Sequence, residues 1–117
     1  MLHKKWRINK GKEYGYIYKN GKRITGKYII VFIKENNLDH NRFGIVTSKK
    51  IGNAVTRNRA KRQLREVIRK NIQIIRPGYN LVIIARFNMK ESSNMKESSF
   101  DLIEKDFLRI MKKASLY

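Results

Sequence analysis

The residues of this sequence best suited to chemistry lie between positions 48 and 70, where the chain reads SKKIGNAVTRNRAKRQLREVIRK. One acid, Glu66, stands there against nine bases: Lys49, Lys50, Arg57, Arg59, Lys61, Arg62, Arg65, Arg69 and Lys70. The planar fork of a guanidinium matches two phosphate oxygens at once. Because so few acids are available as partners, surface ion pairs explain the stretch poorly. The pattern favours binding of a polyanion, most often nucleic acid.

Groups for catalysis by the protein itself are scarce. There is no cysteine, which excludes thiol nucleophiles, disulfides and thiolate metal sites. His3 and His40 are far apart and lack the spacing of metal ligands, so we interpret both as solvated side chains. Asp101, Glu104 and Asp106 lie close together, but Asp101 and Glu104 favour the N-terminal end of a helix dipole, so capping and solubility explain these two at least as well as metal binding. We therefore expect neither catalytic residues nor a metal site in the protein.

The composition indicates a small and strongly basic chain. Its 117 residues suffice for one domain with a modest core, so we predict a single domain over residues 1–117. The formal charge of +19 opposes compact folding and is usually tolerated where a polyanion neutralises it. No apolar run approaches the roughly 20 residues needed to span a bilayer, and the N-terminus lacks the apolar region of a signal peptide. We expect a cytoplasmic protein.

Helical periodicity divides the basic stretch into two sides. The apolar side consists of Ala60, Leu64, Val67, Ile68, Ile72 and Ile75, and the opposite side carries Arg59, Arg62, Arg65, Arg69 and Lys70. Asn53 is the predicted N-cap of this amphipathic helix, and Lys61 lies towards its apolar side. Glu66 is expected to pair with Arg62 and Lys70 at i, i+4 spacing.

The remaining elements complete an α+β pattern. A first helix is predicted from Asn9 to about Lys19. Segments rich in β-branched and aromatic residues predict strands at 27–33, 43–48 and 80–87, and the loop between the first two suits an antiparallel pair. Residues 89–99, with the repeated MKESS, are predicted to form a flexible loop. A last helix, capped by Ser98 or Ser99, has an apolar side formed by Phe100, Ile103, Phe107, Ile110 and Met111. The order helix, strands, helix, strand, helix predicts a single-domain, two-layer α+β sandwich.

Aromatic residues form a second candidate surface. Tyr14 and Tyr18 share one face of the first helix, and alternation places Tyr28, Ile30 and Phe32 on one face of the first strand. Both faces of that strand are apolar, so one can pack on helices while the other stays free to bind. Unpaired bases stack on such rings with roughly 1–3 kcal/mol per base, which predicts a shallow trough for single-stranded nucleic acid. Ordinary core packing is the alternative for each ring.

The segment SKKIGNAVTRNRAKRQLRE resembles the signature of the bacterial ribonuclease P protein subunit: Ser-Lys-Lys, a Gly-Asn-Ala-Val turn, then Arg-Asn-Arg with Lys-Arg and Arg-Glu behind it. The resemblance extends over most of the chain, including NGKRITGKY, the LVIIAR strand and the closing helix. It implies a ribosomal-protein-like α+β fold with a left-handed βαβ crossover around the basic helix.

The resemblance also implies a function. In that family a catalytic RNA hydrolyses precursor tRNA with Mg²⁺ to remove the 5′ leader, while the protein binds this RNA near its core and holds the single-stranded leader. The chain would thus be a subunit of an endoribonuclease, with Mg²⁺ held mainly by the RNA. The implied partners are ribonuclease P RNA and precursor tRNA, without DNA, a membrane or an obligate protein partner.

Two sets of site residues follow from carrying the resemblance onto this sequence. Contacts to the catalytic RNA are implied for Arg57, Asn58, Arg59, Lys61, Arg62 and Arg65, and the basic helix side adds Arg69. For Lys49, Lys50 and Asn53 the resemblance implies contacts either to this RNA or to its bound metal ions. The family's leader cleft matches Tyr14, Tyr18 and Phe32, to which strand alternation adds Tyr28 and Ile30.

Two departures from the family pattern stand out. The aromatic residues of the first helix are commonly Phe in the family. This sequence has Tyr instead, so a hydrogen bond from the tyrosine hydroxyls to the leader is an open question. Thr47 stands where an aliphatic residue is usual.

Two other classes of protein remain as alternatives. A ribosomal or other structural RNA-binding protein would share the charge and the fold without the trough, and a self-sufficient nuclease would need acids or histidines converging on it.

Overall fold

The computed structural model describes residues 4–9, 11–89 and 98–117, without the side chains of residues 98 and 99. This part of the chain forms α1 (Gly11–Asn20), β1 (Lys22–Thr25), β2 (Ile29–Glu35), β3 (Arg42–Val46), α2 (Ala54–Asn71), β4 (Tyr79–Ala85) and α3 (Ser98–Lys113). The predicted α+β class is confirmed. The predicted flexible loop lies mostly outside the described residues. Among the helices that the structure describes, none is long and apolar enough to cross a membrane.

The strands form one sheet in the order β1-β2-β4-β3. β4 pairs antiparallel with β2, where Val31 faces Ile83, and parallel with β3, where Phe43 faces Leu81. The predicted antiparallel pairing of β2 with β3 is therefore wrong. β4 lies between them, and its residues Leu81, Val82 and Ile83 are completely buried, so this central strand is covered on both faces. α2 connects the adjacent parallel strands β3 and β4, and the handedness of this crossover stays a prediction.

β1 is an edge strand that the sequence patterns do not indicate. Its four residues, KRIT, pair antiparallel with β2 and bury only Ile24. A short edge strand with charged, outward side chains resists pairing with other chains. Such a strand is hard to recognise in the sequence, because three of its four side chains are polar.

Helices cover the two faces of the sheet unequally. α2 and α3 pack on one face and enclose the main core, to which their predicted apolar sides contribute Ala60, Leu64, Val67, Ile68, Ile103, Phe107, Ile110 and Met111. α1 packs on the opposite face, where Ile17 joins Ile8 and Val82 in a smaller cluster. Phe32 and Ile84 border this cluster and stay partly exposed. The face under α1 is therefore only partly covered.

A buried carboxylate anchors the turn between β1 and β2. Asp106 on α3 is 1% exposed, and its oxygens accept hydrogen bonds from the backbone N–H groups of Lys27, Tyr28 and Ile29 at 3.0, 2.8 and 3.3 Å. A Cβ atom at Gly26 would lie 2.6 Å from the same carboxylate, so this position requires glycine. Asp106 therefore ties α3 to the start of β2.

Candidate nucleic-acid interface

The basic surface of α2 begins at a capped N-terminus. Asn53 caps the helix as predicted, because its Oδ1 accepts a hydrogen bond from the N–H of Thr56 at 3.0 Å. Val55, which sequence reasoning did not single out, is 63% exposed and lines a shallow depression together with Asn58, Arg62 and Arg65. Of the predicted bases, Lys49, Lys50, Arg59, Arg62 and Arg69 are exposed, and Arg57, Lys61 and Arg65 are partly buried.

The two lysines that precede α2 lie on a short 3-10 turn, Lys49–Ile51. Ile51 is completely buried and anchors this turn, while Lys49 and Lys50 are exposed. Gly52 follows with φ of 142°, a conformation that L side chains rarely adopt, and redirects the chain into the helix. The lysines therefore stand beside the N-terminus of α2, whose dipole also favours anions.

Arg69 is engaged by an acid of its own helix. Its guanidinium binds both carboxylate oxygens of Glu66, with Nε 3.0 Å from Oε2. This hydrogen bond holds the pKa of Glu66 below its ordinary value and raises the pKa of Arg69. The predicted i, i+4 pairs of Glu66 are wrong, since Lys70 instead reaches Glu104 of α3 at 3.6 Å. Arg69 remains exposed, but a phosphate would compete there with a carboxylate.

Aromatic rings from α1 and β2 lie together on the partly covered face of the sheet, at the place of the predicted trough, and this group of rings is called the aromatic cleft below. The Tyr18 ring meets the Phe32 ring edge to face, with centroids 5.0 Å apart, and the Tyr14 and Tyr18 rings are 6.5 Å apart. Tyr18 is 39% exposed, and Tyr14, Ile30 and Phe32 are partly buried. Burial raises the pKa of Tyr14 and of Tyr18, so both hydroxyls stay protonated at neutral pH and can donate hydrogen bonds.

Tyr28 does not lie in this cleft, and its assignment there is wrong. It is 9% exposed and packs in the main core on the opposite side of the sheet. β2 begins only at Ile29, and the preceding turn is held by the hydrogen bond from the Tyr28 N–H to Asp106 at 2.8 Å. The alternation that groups Tyr28 with Ile30 and Phe32 therefore does not extend back to residue 28.

Strand register adds cleft residues that sequence reasoning missed. Ile84 of β4 pairs with Ile30, and Val46 of β3 pairs with Ile84, so one row of side chains crosses the sheet. The Arg23 guanidinium on β1 lies 5.9 Å from the centre of the Phe32 ring. Alternation within NLVIIARF could have suggested Ile84, but the neighbours of Arg23 and Val46 depend on the pairing of distant strands.

The expected absence of a metal site in the protein stays a prediction. Within the described ranges, no group of three or more His, Cys, Asp or Glu side chains could hold a metal ion. His40, in the loop before β3, contacts the Asp39 carboxylate at 2.9 Å and the Lys5 carbonyl at 3.2 Å.

An α+β sheet that carries a basic helix between two parallel strands, with an aromatic cleft beside it, defines a small nucleic-acid-binding protein. Residues 2–115 match the sequence profile of the family described as Ribonuclease P, and the chain belongs to this family.

Individual relatives agree with this assignment. A ribonuclease P protein component of Syntrophomonas wolfei is 44% identical over 117 residues, which cover 100% of this chain and 93% of that protein. The component of Clostridioides difficile is 36% identical over 110 residues, covering 93% and 91%. The solved RNase P protein of Thermotoga maritima has a TM-score of 0.83 at 31% identity, covering 92% of this chain and 96% of that one. The protein of Staphylococcus aureus has a TM-score of 0.82 at 32% identity, covering 96% and 97%.

Proposed function

We propose that this protein is the protein subunit of ribonuclease P, which assists the endonucleolytic removal of the 5′ leader from precursor tRNA. The observation that carries the proposal is the presence of two separate surfaces, the basic surface of α2 and the aromatic cleft between α1 and the sheet. Each suits a different RNA element, since one is rich in guanidinium groups and the other in rings. The names of the relatives support the same role.

The basic surface is suited to the catalytic RNA. Folded RNA exposes closely spaced phosphates, and arginines at successive turns of a helix can each bind one with two parallel hydrogen bonds. Arg62 and Arg65 form no ion pair with the described residues, so both are available for such contacts. Lys49 and Lys50 extend this surface beyond the helix N-terminus, where the dipole adds to their attraction for phosphate.

The aromatic cleft is suited to the leader. A single strand presents unstacked bases, and the exposed Tyr18 edge beside Phe32 offers faces on which such bases can stack irrespective of their identity. Arg23 at the cleft rim places a positive charge where the strand's backbone would pass. The 5′ end of mature tRNA is base-paired and carries no single-stranded leader. The cleft therefore favours precursor tRNA over the product.

In this proposal the RNA subunit performs the phosphodiester hydrolysis and holds the Mg²⁺. The protein contributes binding and orientation, which fits its supply of cations and rings. The particle would act in the cytoplasm. A ribosomal or other structural RNA-binding role is the alternative, and it would leave the cleft without a ligand.

The test is cleavage of a precursor tRNA with a 5′ leader by a bacterial ribonuclease P RNA at low Mg²⁺, with and without this protein. We expect product with the mature 5′ end only when the protein is added. Absence of rescue by a protein that still binds the RNA would favour the structural role. The protein alone should give no product, and cleavage by an RNA-free preparation would instead indicate a nuclease.

A further inference from the structure

An ion pair joins the N-terminal end of α1 to the outer strand β3. Arg42 of β3 donates from Nη2 to Oε2 of Glu13, the one acidic residue in the sequence of α1. The two side chains are only 21% and 26% exposed, so water and salt screen this pair less than a surface pair. A carboxylate beside the aromatic cleft would repel RNA unless it were neutralised, and Arg42 neutralises it.

Helix α1 depends on such contacts for its orientation. It has only 10 residues, two of them glycine, and isolated helices of this length are marginal in water. The side of α1 that faces the sheet carries Glu13, Tyr14 and Ile17, which fall within one stripe of the helix. Ile17 is 1% exposed, and Tyr14 lies directly against Gly44 of β3, where an added Cβ would be 2.5 Å from the tyrosine hydroxyl oxygen.

The two ends of α1 are held by different strands. At the C-terminal end, a Cβ added at Gly21 would lie 2.6 Å from the carbonyl oxygen of Ile17 and 2.9 Å from that of Ile33, so this end rests on β2. At the N-terminal end, Glu13 is bound to Arg42 of β3. Because β4 lies between β2 and β3, the helix crosses the sheet over β4 and is fixed on both sides of it.

This arrangement determines where the rings of α1 lie. Tyr14 follows Glu13 directly, and Tyr18 is one helical turn beyond Tyr14 on the same face. Glu13 and Gly21 are about 12 Å apart along the helix axis, so a tilt of about 5° around the C-terminal end would move the N-terminal end by about 1 Å. Release of Glu13 from β3 would therefore displace Tyr14 relative to Phe32.

The charges of the pair also act on Tyr14. Burial raises the pKa of this residue most, Tyr18 and the Glu13 carboxylate raise it further, and the Arg42 guanidinium lowers it. Both members of the pair are thus near the Tyr14 hydroxyl, where their opposite charges offset each other. The pair adds no net charge beside the cleft.

We propose that Glu13 and Arg42 are positioning residues for leader binding: their ion pair fixes the N-terminal end of α1 on β3, and thereby the rings of Tyr14 and Tyr18, without contacting RNA. The inference rests on the proposed function and deepens it, since it assigns a role to two charged residues outside both surfaces. A direct contact between Arg42 and an RNA phosphate is the alternative. It predicts that removal of Glu13 strengthens binding, because a guanidinium would be released.

The experiment compares Glu13→Gln with Glu35→Gln, which removes the same charge from an exposed position at the end of β2. The affinity of the assembled particle is measured for precursor tRNA and for mature tRNA. The ratio of the two affinities is the readout, because a loss of folded protein alone would affect both alike. Glu13→Gln should lower the preference for precursor tRNA about threefold or more, and Glu35→Gln should leave it unchanged. The affinity for ribonuclease P RNA alone should be the same in both variants.

A reversed pair tests the contact itself. Glu13→Arg and Arg42→Glu should each lower the preference when made alone, because each brings like charges together. The double variant has the net charge of the unaltered protein and should recover part of the lost preference. A preference in the double variant no higher than in either single variant would overturn the proposal.

Two results of the first comparison would also overturn it. One is an equal preference in Glu13→Gln and Glu35→Gln. The other is a higher affinity of Glu13→Gln for both tRNAs, which would assign Arg42 to an RNA phosphate. Neither result would affect the proposed function if the unaltered protein restores cleavage, whereas absence of that rescue would count against the function itself.

Discussion

Single residues that do not face RNA determine where the binding side chains lie. Tyr14 can approach β3 only because residue 44 is glycine, since any Cβ there would be 2.5 Å from the tyrosine hydroxyl oxygen. The Asp106 carboxylate fixes the turn that precedes β2 and so determines that Phe32 faces the cleft. The neighbouring Tyr28 is directed into the core by the same turn. Contacts of this kind explain why the cleft contains fewer aromatic residues than the alternation pattern of the sequence predicts.

A buried hydroxyl at Thr47 supports a prediction about stability. Its hydroxyl oxygen is buried and has no hydrogen-bond partner in the part of the chain that the structure describes. Because an unpaired buried hydroxyl costs roughly 1–3 kcal/mol, we expect Thr47→Val to raise the free energy of unfolding by about 1 kcal/mol. Urea denaturation measures this change. Thr25→Val, at an exposed position of β1, should give no gain. A loss of stability in Thr47→Val would show that the hydroxyl has a partner.

Helix α1 and strand β2 together form the leader cleft, and their role can be separated from that of α2. Replacing Tyr18 and Phe32 by Ala should lower the preference of the assembled particle for precursor over mature tRNA, because each lost stacking contact is worth about 1–3 kcal/mol. The affinity of the protein for ribonuclease P RNA alone should not change, since α2 is untouched. Binding of both tRNAs to the assembled particle provides the measurement.

Tyr16 offers the matched control on the same helix. It is 57% exposed and two residues from both Tyr14 and Tyr18, so it faces away from the cleft. Tyr16→Ala should therefore leave the tRNA preference as it is. An unaltered preference in the Tyr18 and Phe32 variant would mean that these rings act only as packing for the sheet.

The charge of the whole molecule links its stability to its function. The net charge is +19, and the few acids before residue 90 are largely occupied: Glu13 with Arg42, Asp39 with His40 and Glu66 with Arg69. Most of the bases therefore repel one another in the free protein. The same bases would be neutralised when RNA binds, so a surface built for RNA lowers the stability of the protein without it.

This relation predicts opposite effects of one variant on folding and on binding. Lys50, Arg57 and Arg62 form no ion pair with described residues. Changing all three to Gln should raise the melting temperature at low salt, because repulsion falls. It should also reduce the salt slope for ribonuclease P RNA by about 2–3, since each lost phosphate contact removes about 0.7–0.9. Thermal denaturation and salt titration of RNA binding measure the two effects.

The control for this variant changes Lys105, Lys112 and Lys113 of α3 to Gln, which removes the same number of charges. Its salt slope should match that of the unaltered protein, because α3 lies outside the basic surface. If both triple variants lost the same slope, RNA binding would depend on net charge and not on the face of α2.

The sequence by itself determined what depends on near neighbours in the chain. The 3.6-residue period of α2, its Asn53 cap and its two sides are set by residues within one or two turns of each other, and all three were predicted correctly. The apolar side of α3 followed in the same way. The signature from Ser48 to Glu66 likewise identified the family, because it is read within one continuous segment.

Only the tertiary structure decided what depends on distant segments. The position of β4 between β2 and β3, the burial of Tyr28 and the anchoring role of Asp106 arise from contacts between residues far apart in the sequence. Local patterns specify which side of an element is apolar. They do not specify which other element covers that side, because this choice is made by the packing of all elements at once.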